Sequence, residues 1–197
     1  MCRVMFAIVA IAVSGCASLN PNLKLVPASS TFSQLGATVL SPNEAGWSVV
    51  QSSATGMAFG RAYTEQGHTA IANTTVFRVD GFGSDDDFLG YIAEQRVKND
   101  DKTRFKILEN KSARVTFKTA PCIRYTSLSE DHRHQGVESA NFDYLKTTGY
   151  VCRHPANGNV AFQMEVSHRS GSKEFPPELI SVGEHWFDDI EFNDAGL

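Results

Sequence analysis

The sequence predicts an α+β domain in which an antiparallel sheet of six or seven strands carries packed helices. Apolar and polar residues alternate with period two over most of the chain from residue 47 onward. Two stretches instead repeat apolar residues at helical spacing, and the segments between neighbouring strands are too short for a parallel return. The composition, 42% hydrophobic and 20% charged over 197 residues, is that of one folded domain and excludes disorder, coiled coil and collagen.

Three strands are predicted before the first helix. The segments at 47–51 and 57–63 alternate on either side of a short turn that contains Gly56, which predicts a hairpin. The third segment covers 71–79 and ends where Asp80 and Gly81 favour a turn.

The first helix is predicted from residue 85 to about residue 98. Ser84 stands at the N-cap position, and Asp87 three residues later gives the pattern of a capping box. Five apolar residues follow at helical spacing: Phe88, Leu89, Ile92, Ala93 and Val97.

Period-two alternation returns in four further segments, at 105–117, 122–128, 142–152 and 160–168. In the first of them apolar residues take odd positions and basic residues take even positions, which predicts a half-buried strand with a charged outer face. After Pro176 and Pro177, a wide apolar stripe predicts a closing helix that lies on the sheet. The predicted order is β-β-β-α-β-β-β-β-α.

The N-terminus has the pattern of an export signal. Ten apolar residues at 4–13 follow a single positive charge at Arg3. A membrane-spanning helix needs about 20 apolar residues, whereas the apolar region of a secretory signal needs only about 7 to 15. A buried N-terminal strand or helix is the alternative, but small residues after the apolar run favour the signal.

The tetrapeptide Val13-Ser14-Gly15-Cys16 resembles the lipobox of bacterial lipoproteins. The resemblance implies that residues 1–15 are a signal peptide, and that Cys16 becomes the first residue and carries acyl chains. Two or three acyl chains hold a protein on a membrane without a transmembrane helix. Ala17 follows in place of the Asp found in many inner-membrane lipoproteins, so the resemblance implies the outer membrane, with the protein facing the periplasm.

Residues 16–44 are predicted to be a lipidated N-terminus and tether, and residues 45–197 a single α+β domain. The tether is rich in Ser, Asn, Pro and Ala, which bury too little apolar surface to offset the entropy of ordering. Its first dozen residues are expected to be mobile. Four apolar residues are expected to dock on the domain as a short element: Phe32, Leu35, Val39 and Leu40.

The cysteines predict one disulfide. Cys2 leaves with the signal and Cys16 is acylated, so Cys122 and Cys152 remain as thiols. An exported chain with two remaining cysteines usually pairs them. Two independent buried thiols are the alternative, and the absence of a CxxC pair argues against catalytic thiol exchange.

The order of elements resembles the PsbP-like fold, which is named for an extrinsic subunit of the photosynthetic oxygen-evolving complex and is shared by small bacterial envelope proteins. The resemblance covers about residues 45–192, and the segment at 184–192 looks like the closing helix of that group. Members of the group mostly bind other proteins and share no active site. The resemblance therefore implies a non-catalytic binding role.

The charge balance excludes nucleic acid as a partner. The expected partner is an envelope protein. Lys and Arg number 18 against 22 Asp and Glu, a net charge of −4, so there is no basic field for a phosphate backbone. The candidate partner-binding residues are those of the predicted charged outer face: Arg104, Lys106, Arg114 and Lys118.

Two acidic or histidine-rich segments are candidate metal sites, and no cofactor is predicted. His132 and His134 project to the same side of an extended segment, and Asp131 or Glu138 could complete a metal shell. No second ligand pair follows at a diagnostic spacing, which favours a solvated hairpin tip. The acidic run at 80–87 lacks the spacing of an EF-hand loop, and its charges suit a helix N-terminus.

Nucleophilic catalysis has no recognisable motif. The segment 167–172 contains Ser and His168 but is not the strand-turn-helix elbow of a hydrolase. The favoured hypothesis is a membrane-anchored envelope lipoprotein with a non-catalytic protein-binding or assembly role. The alternative is a small periplasmic hydrolase or ligand-binding protein with a cleft near residues 129–141.

Overall fold

The computed structural model describes residues 23–63, 67–79, 81–98, 101–133 and 140–197. They form strands β1 to β10 and helices α1 and α2, in the chain order β1 Thr31–Gln34, β2 Ala37–Leu40, β3 Ser48–Ser52, β4 Gly56–Tyr63, β5 His68–Arg78, α1 Asp85–Lys98, β6 Phe105–Phe117, β7 Ala120–Asp131, β8 Asp143–Arg153, β9 Val160–Ser170, α2 Pro177–Asp188 and β10 Glu191–Phe192. The predicted α+β class is confirmed, and from β3 to α2 the elements follow the predicted order.

A seven-stranded antiparallel sheet forms the centre of the domain, in the order β3-β4-β5-β9-β8-β7-β6. Consecutive strands pair on each side, and β9 joins the two halves by pairing with both β5 and β8. The chain leaves β5 near the middle of the sheet and returns at its far edge as β6. The intervening α1 packs against the strands that it crosses, β7 and β8.

The two faces of this sheet bury two separate apolar clusters. Ile123, Val151 and Ala161 pack against Phe88 and Ile92 of α1. Their chain neighbours on the other face pack against α2, with Phe162 and Met164 beside Trp186 and Phe187. The helices therefore cover opposite faces, and the strand alternation that predicted the sheet also separates these two clusters.

The predicted N-cap at Ser84 is confirmed, and Asp87 contacts the Ser84 hydroxyl and not its backbone N–H. The backbone N–H of Asp87 donates to Ser84 Oγ at 3.1 Å, and that hydroxyl donates to the Asp87 carboxylate at 2.8 Å. Arg153 and Arg114 form ion pairs with Asp85 and Asp86 in the first turn. Each of the three acidic residues in the first turn of α1 therefore contacts another side chain of the protein.

A second, three-stranded sheet lies on the α2 face, in the order β1-β2-β10. Strands β1 and β2 lie within residues 16–44, which the sequence predicts to be a tether. Four apolar residues of this tether were expected to dock on the domain as a short element. That element is a hairpin whose Val39 is fully buried in the main core. Trp186 Nε1 donates to Leu40 O at 2.7 Å, and the His154 ring donates to Gly36 O at 2.8 Å. The folded part of the chain therefore begins before residue 45, because the hairpin covers apolar surface beside α2.

The signal segment 1–15, Cys16, His134 and Glu138 lie outside the described residues. In the described part of the chain, neither helix is long and apolar enough to cross a membrane.

Candidate functional site

Lys106 and Arg114, two of the predicted partner-binding residues, lie on β6, which forms one edge of the large sheet, and Arg104 and Lys118 lie directly beside its ends. β6 has 13 residues, and among the described parts of the chain it pairs on one side only, with β7. The opposite edge strand, β3, has five residues. Residues 109–114 of β6 are all exposed, so neither helix covers the middle of the strand on either face. A long exposed edge presents backbone N–H and C=O groups that can pair with another chain.

The predicted single charged face of β6 is wrong because a β-bulge interrupts the strand. Ile107 pairs with Ser129 and Glu109 pairs with Leu128, so Leu108 is an extra residue in the ladder. Beyond an inserted residue, odd and even positions exchange faces. Lys106 consequently shares the α2 face with Lys111, whereas Arg114 lies on the α1 face.

Ion pairs further separate the four predicted residues. Arg104 forms a two-pronged pair with Asp131 at 2.8 and 2.9 Å and is only 14% exposed, so it belongs to the interior. Lys106 pairs with Glu130 at 3.2 Å and Arg114 with Asp86 at 2.6 Å, and both basic side chains remain more than half exposed. The Arg114–Asp86 pair is exposed on both sides and contributes little, whereas the Glu130 carboxylate is only 12% exposed.

Lys118 has a structural position in the turn that joins β6 to β7. Lys118 and Thr119 both have positive φ angles, 45° and 69°, as a two-residue hairpin turn of the primed type requires. The amine of Lys118 donates to the carbonyl of Asp188 at the end of α2 and forms an ion pair with Glu191. A cation at a helix C-terminus is favourable, and this one connects the turn to α2.

Lys111 is the exposed edge residue that the sequence did not single out. It lies on β6 beyond the bulge and is 77% exposed, with Glu109 at 3.4 Å. The strict odd-even pattern placed it on the buried side of the strand. Only a bulge reverses that placement, and no residue type in the segment signals one.

The open edge therefore has three exposed basic side chains: Lys106, Lys111 and Arg114. We refer to β6 with these three residues as the basic edge. Because it lies at the rim of the sheet, a molecule placed along it would meet basic groups on both faces.

A buried ion cluster lies at the end of β7, next to the basic edge. The Asp131 carboxylate is fully buried and accepts hydrogen bonds from Arg104, Arg169 and the backbone N–H of Arg133. Burial alone would raise the pKa of Asp131, but the hydrogen bond from Arg104 and the charge of Arg169 outweigh it and lower the pKa. The cluster joins the β6 side of the sheet to β9.

The structure does not bring Asp131 and His132 together as metal ligands. Asp131 points to the two arginines, whereas the His132 ring lies 3.2 Å from Glu130 and packs on Phe142. No group of three metal-ligating side chains occurs in the residues that the structure describes. The other candidate ligands, His134 and Glu138, and residues 134–139 of the predicted 129–141 cleft fall outside them.

Two buried histidines form a second titratable cluster. His68 and His168 lie on the α2 face with ring centroids 6.4 Å apart, and Phe175 packs on His68. Lys146 stands directly opposite His168 on β8. Burial, with His68 and Lys146 adding to it, lowers the pKa of His168 to about 4, and burial also lowers the pKa of His68. Both rings are therefore neutral at pH 7.

The predicted disulfide is present. Cys122 and Cys152 are directly opposite residues of β7 and β8, both fully buried in the α2-side core. The bond closes a loop with a sequence separation of 30 residues.

Comparisons with known proteins show similarity of fold. No family model matches the sequence, and a search of curated proteins finds no significant match. Mog1p of Saccharomyces cerevisiae, described as a Ran-binding protein, is 8% identical and superposes with a TM-score of 0.50, over 86% of this chain and 96% of that one. A point variant of Mog1 gives 9% identity and a TM-score of 0.51 over 84% and 96%.

Two further solved structures match at lower TM-scores. A Bacteroides thetaiotaomicron protein is 12% identical with a TM-score of 0.49; the alignment covers 86% of this chain but only 50% of that one, so this chain spans half its length. The PsbP protein of Synechocystis sp. PCC 6803 is 12% identical with a TM-score of 0.42, over 85% and 94%. The group predicted from the order of elements is thus represented among the matches, while the fold similarity rests on the Mog1 structures.

Proposed function

We propose that this chain is a lipid-anchored protein of the bacterial envelope that binds a partner protein through the basic edge, without catalysis. The observation that carries the binding role is the edge itself, 13 residues long, with an exposed middle and three exposed basic residues. The anchor is carried by the tetrapeptide that ends at Cys16.

Two further observations support this proposal. A buried disulfide suits an oxidising compartment such as the periplasm. Mog1p, which has a similar fold, is described as binding another protein, Ran. Fold similarity does not transfer a function, so the binding role rests on the surface of this chain.

The anchor is tested by mass spectrometry of the chain purified from bacterial membranes. We expect an N-terminus that begins at Cys16 and carries acyl chains, and we expect Cys16→Ser to leave the chain unacylated and uncleaved. An intact Met1 N-terminus without acyl groups on the wild-type chain would contradict the anchor.

The binding surface is tested by co-purification from crosslinked cells. Reversing two exposed charges, in Lys106→Glu with Lys111→Glu, should remove the partner that co-purifies with the wild-type chain. The matched control is Lys98→Glu, because Lys98 is also exposed and paired but lies at the end of α1. Retention of the partner by the double variant would show that the partner binds elsewhere.

A further inference from the structure

Resting on the proposed function, we propose that the partner supplies an extended acidic segment that pairs with residues 109–117 of β6 as an eighth strand of the large sheet. Such strand addition gives affinity through main-chain hydrogen bonds and specificity through alternate side chains. Three features of the edge argue for this mode of binding and for this partner chemistry.

The first feature is the regularity of the edge beyond the bulge. From Glu109 to Phe117 every residue has a direct partner on β7, so nine residues form an uninterrupted ladder. At about 3.4 Å per residue this segment is roughly 30 Å long. It contains no proline, and its central residues, Ser112 and Ala113, are small. Backbone groups along its outer side are therefore accessible to another strand.

The second feature is that both faces beside the edge are open. A strand added to β6 would place its side chains alternately on the α1 and α2 faces. Residues 109–114 are exposed on both faces, and Asp86 of α1 contacts this rim through its ion pair with Arg114. An added strand therefore has open surface on both faces beside residues 109–113, and at Arg114 it would displace an exposed ion pair.

The third feature is charge. Between residues 106 and 114 the edge has three exposed basic residues and one acidic residue, within a protein of net charge −4. Lys111 and Arg114 lie within the regular segment on opposite faces of the sheet, so each face of an added strand would meet a basic group. Their present partners, Glu109 and Asp86, are exposed and can return to water.

The same charges select against a second copy of this chain. Lysines on an edge strand commonly protect a sheet from pairing with itself. Two β6 edges brought together would place two sets of basic side chains next to one another, whereas an acidic strand would neutralise them. The edge therefore disfavours pairing with a second copy of β6 and favours pairing with an acidic segment.

The test uses the full chain in detergent micelles and three synthetic ten-residue peptides. The first, the Glu-Thr peptide, repeats Glu-Glu-Thr-Thr, so that Glu side chains lie on both faces of an added strand. The second repeats Lys-Lys-Thr-Thr, and the third is the Glu-Thr peptide N-methylated at every residue, which keeps the charge but removes every N–H donor. Binding is measured by fluorescence anisotropy, and protection of β6 amides by hydrogen exchange. We expect the Glu-Thr peptide to bind at least tenfold more tightly than either other peptide and to protect amides within 109–117.

The protein variant is Lys111→Glu with Arg114→Glu, and Lys98→Glu is again the control. The variant should lose at least tenfold in affinity for the Glu-Thr peptide, while the control keeps it. Equal binding of the N-methylated peptide would overturn strand addition but leave the basic edge as the binding surface. Unchanged affinity of the double variant would overturn both proposals. Absence of binding at millimolar peptide, or a peptide-free dimer with protected β6 amides, would also overturn strand addition to an acidic segment.

Discussion

At the scale of single residues, the domain is distinguished by clusters of buried polar groups. Asp131 lies between two arginines, and His68 lies between Phe175 and His168. The sequence singled out Asp131 as a weak metal candidate, but the arginines that engage it come from positions 27 and 38 residues away in sequence. Contacts over such separations depend on strand register, which composition and spacing do not reveal.

We expect Asp131→Asn to destabilise the domain strongly. Removing the carboxylate leaves two mostly buried guanidinium groups without their counter-charge, which typically costs about 3–5 kcal/mol. The free energy of unfolding, measured by urea denaturation, should fall by an amount of this order. Asp86→Asn is the matched control, since it removes one side of an exposed pair and should change stability by less than about 1 kcal/mol. Equal effects of the two substitutions would contradict the role of the buried cluster.

Acid should destabilise the domain partly through His168. Its pKa is about 6.5 in the unfolded chain and about 4 in the folded domain, because burial disfavours the charged ring. The unfolded state therefore binds a proton first, and the contribution, roughly 3 kcal/mol at most, is present above pH 6.5 and lost as the pH falls toward 4. Urea denaturation between pH 7 and pH 4 should show a shallower loss of stability for His168→Gln. The control His185→Gln alters an exposed helix residue, and a pH profile of His168→Gln as steep as that of the control would be inconsistent with this role.

At the scale of elements, the features that could be predicted were those that follow from local periodicity in the sequence. The N-cap at Ser84 and the alternation of β9 each placed an element correctly. The bulge at Leu108 was not predictable, because apolar residues take odd positions on both sides of it although those positions lie on opposite faces of the sheet. Because of this bulge, the exposed basic residues lie on both faces along the strand edge and do not share one face of the sheet.

The two helical glycines should respond to alanine in opposite directions. Gly183 of α2 lies against β9, where an added Cβ would come within 2.8 Å of Val166 Cγ1. Val166 is buried and stiff at χ1, so Gly183→Ala should destabilise the domain by about 1–3 kcal/mol. Gly90 of α1 is exposed, and its nearest contact for a Cβ is 3.8 Å away. Gly90→Ala should therefore raise stability by about 0.5–1 kcal/mol through helix propensity. Thermal unfolding of both variants checks the pair, and a stabilised Gly183→Ala would contradict the close packing of α2.

At the scale of the whole molecule, the sequence predicted the class, the order of the main elements and the disulfide, whereas the second sheet emerged only from the structure. β1 and β2 have four residues each and β10 has two. Segments this short carry little periodic signal, and their pairing joins residues near the two ends of the described chain. The predicted docking of Phe32 and Val39 was the one local sign of this sheet, since both are apolar in a polar segment.

The disulfide should contribute substantially to the stability of the whole domain. Its loop of about 30 residues restricts the unfolded chain, which corresponds to roughly 3–4 kcal/mol in the chain-entropy model. Cys122→Ala with Cys152→Ala should lower the free energy of unfolding by about that amount, and reductant should affect the wild type but not the double variant. A change below about 1 kcal/mol would show that the paired strands and the surrounding core hold this region without the bond.

Site-specific photo-crosslinking in living cells tests the central claim, that the basic edge binds a partner protein at the membrane. A photoreactive amino acid replaces either Lys111 on the edge or Glu94 on the exposed side of α1. We predict a crosslinked adduct with another protein in the membrane fraction from position 111 and none from position 94. An adduct from position 94 alone, or none from position 111, would contradict the claim.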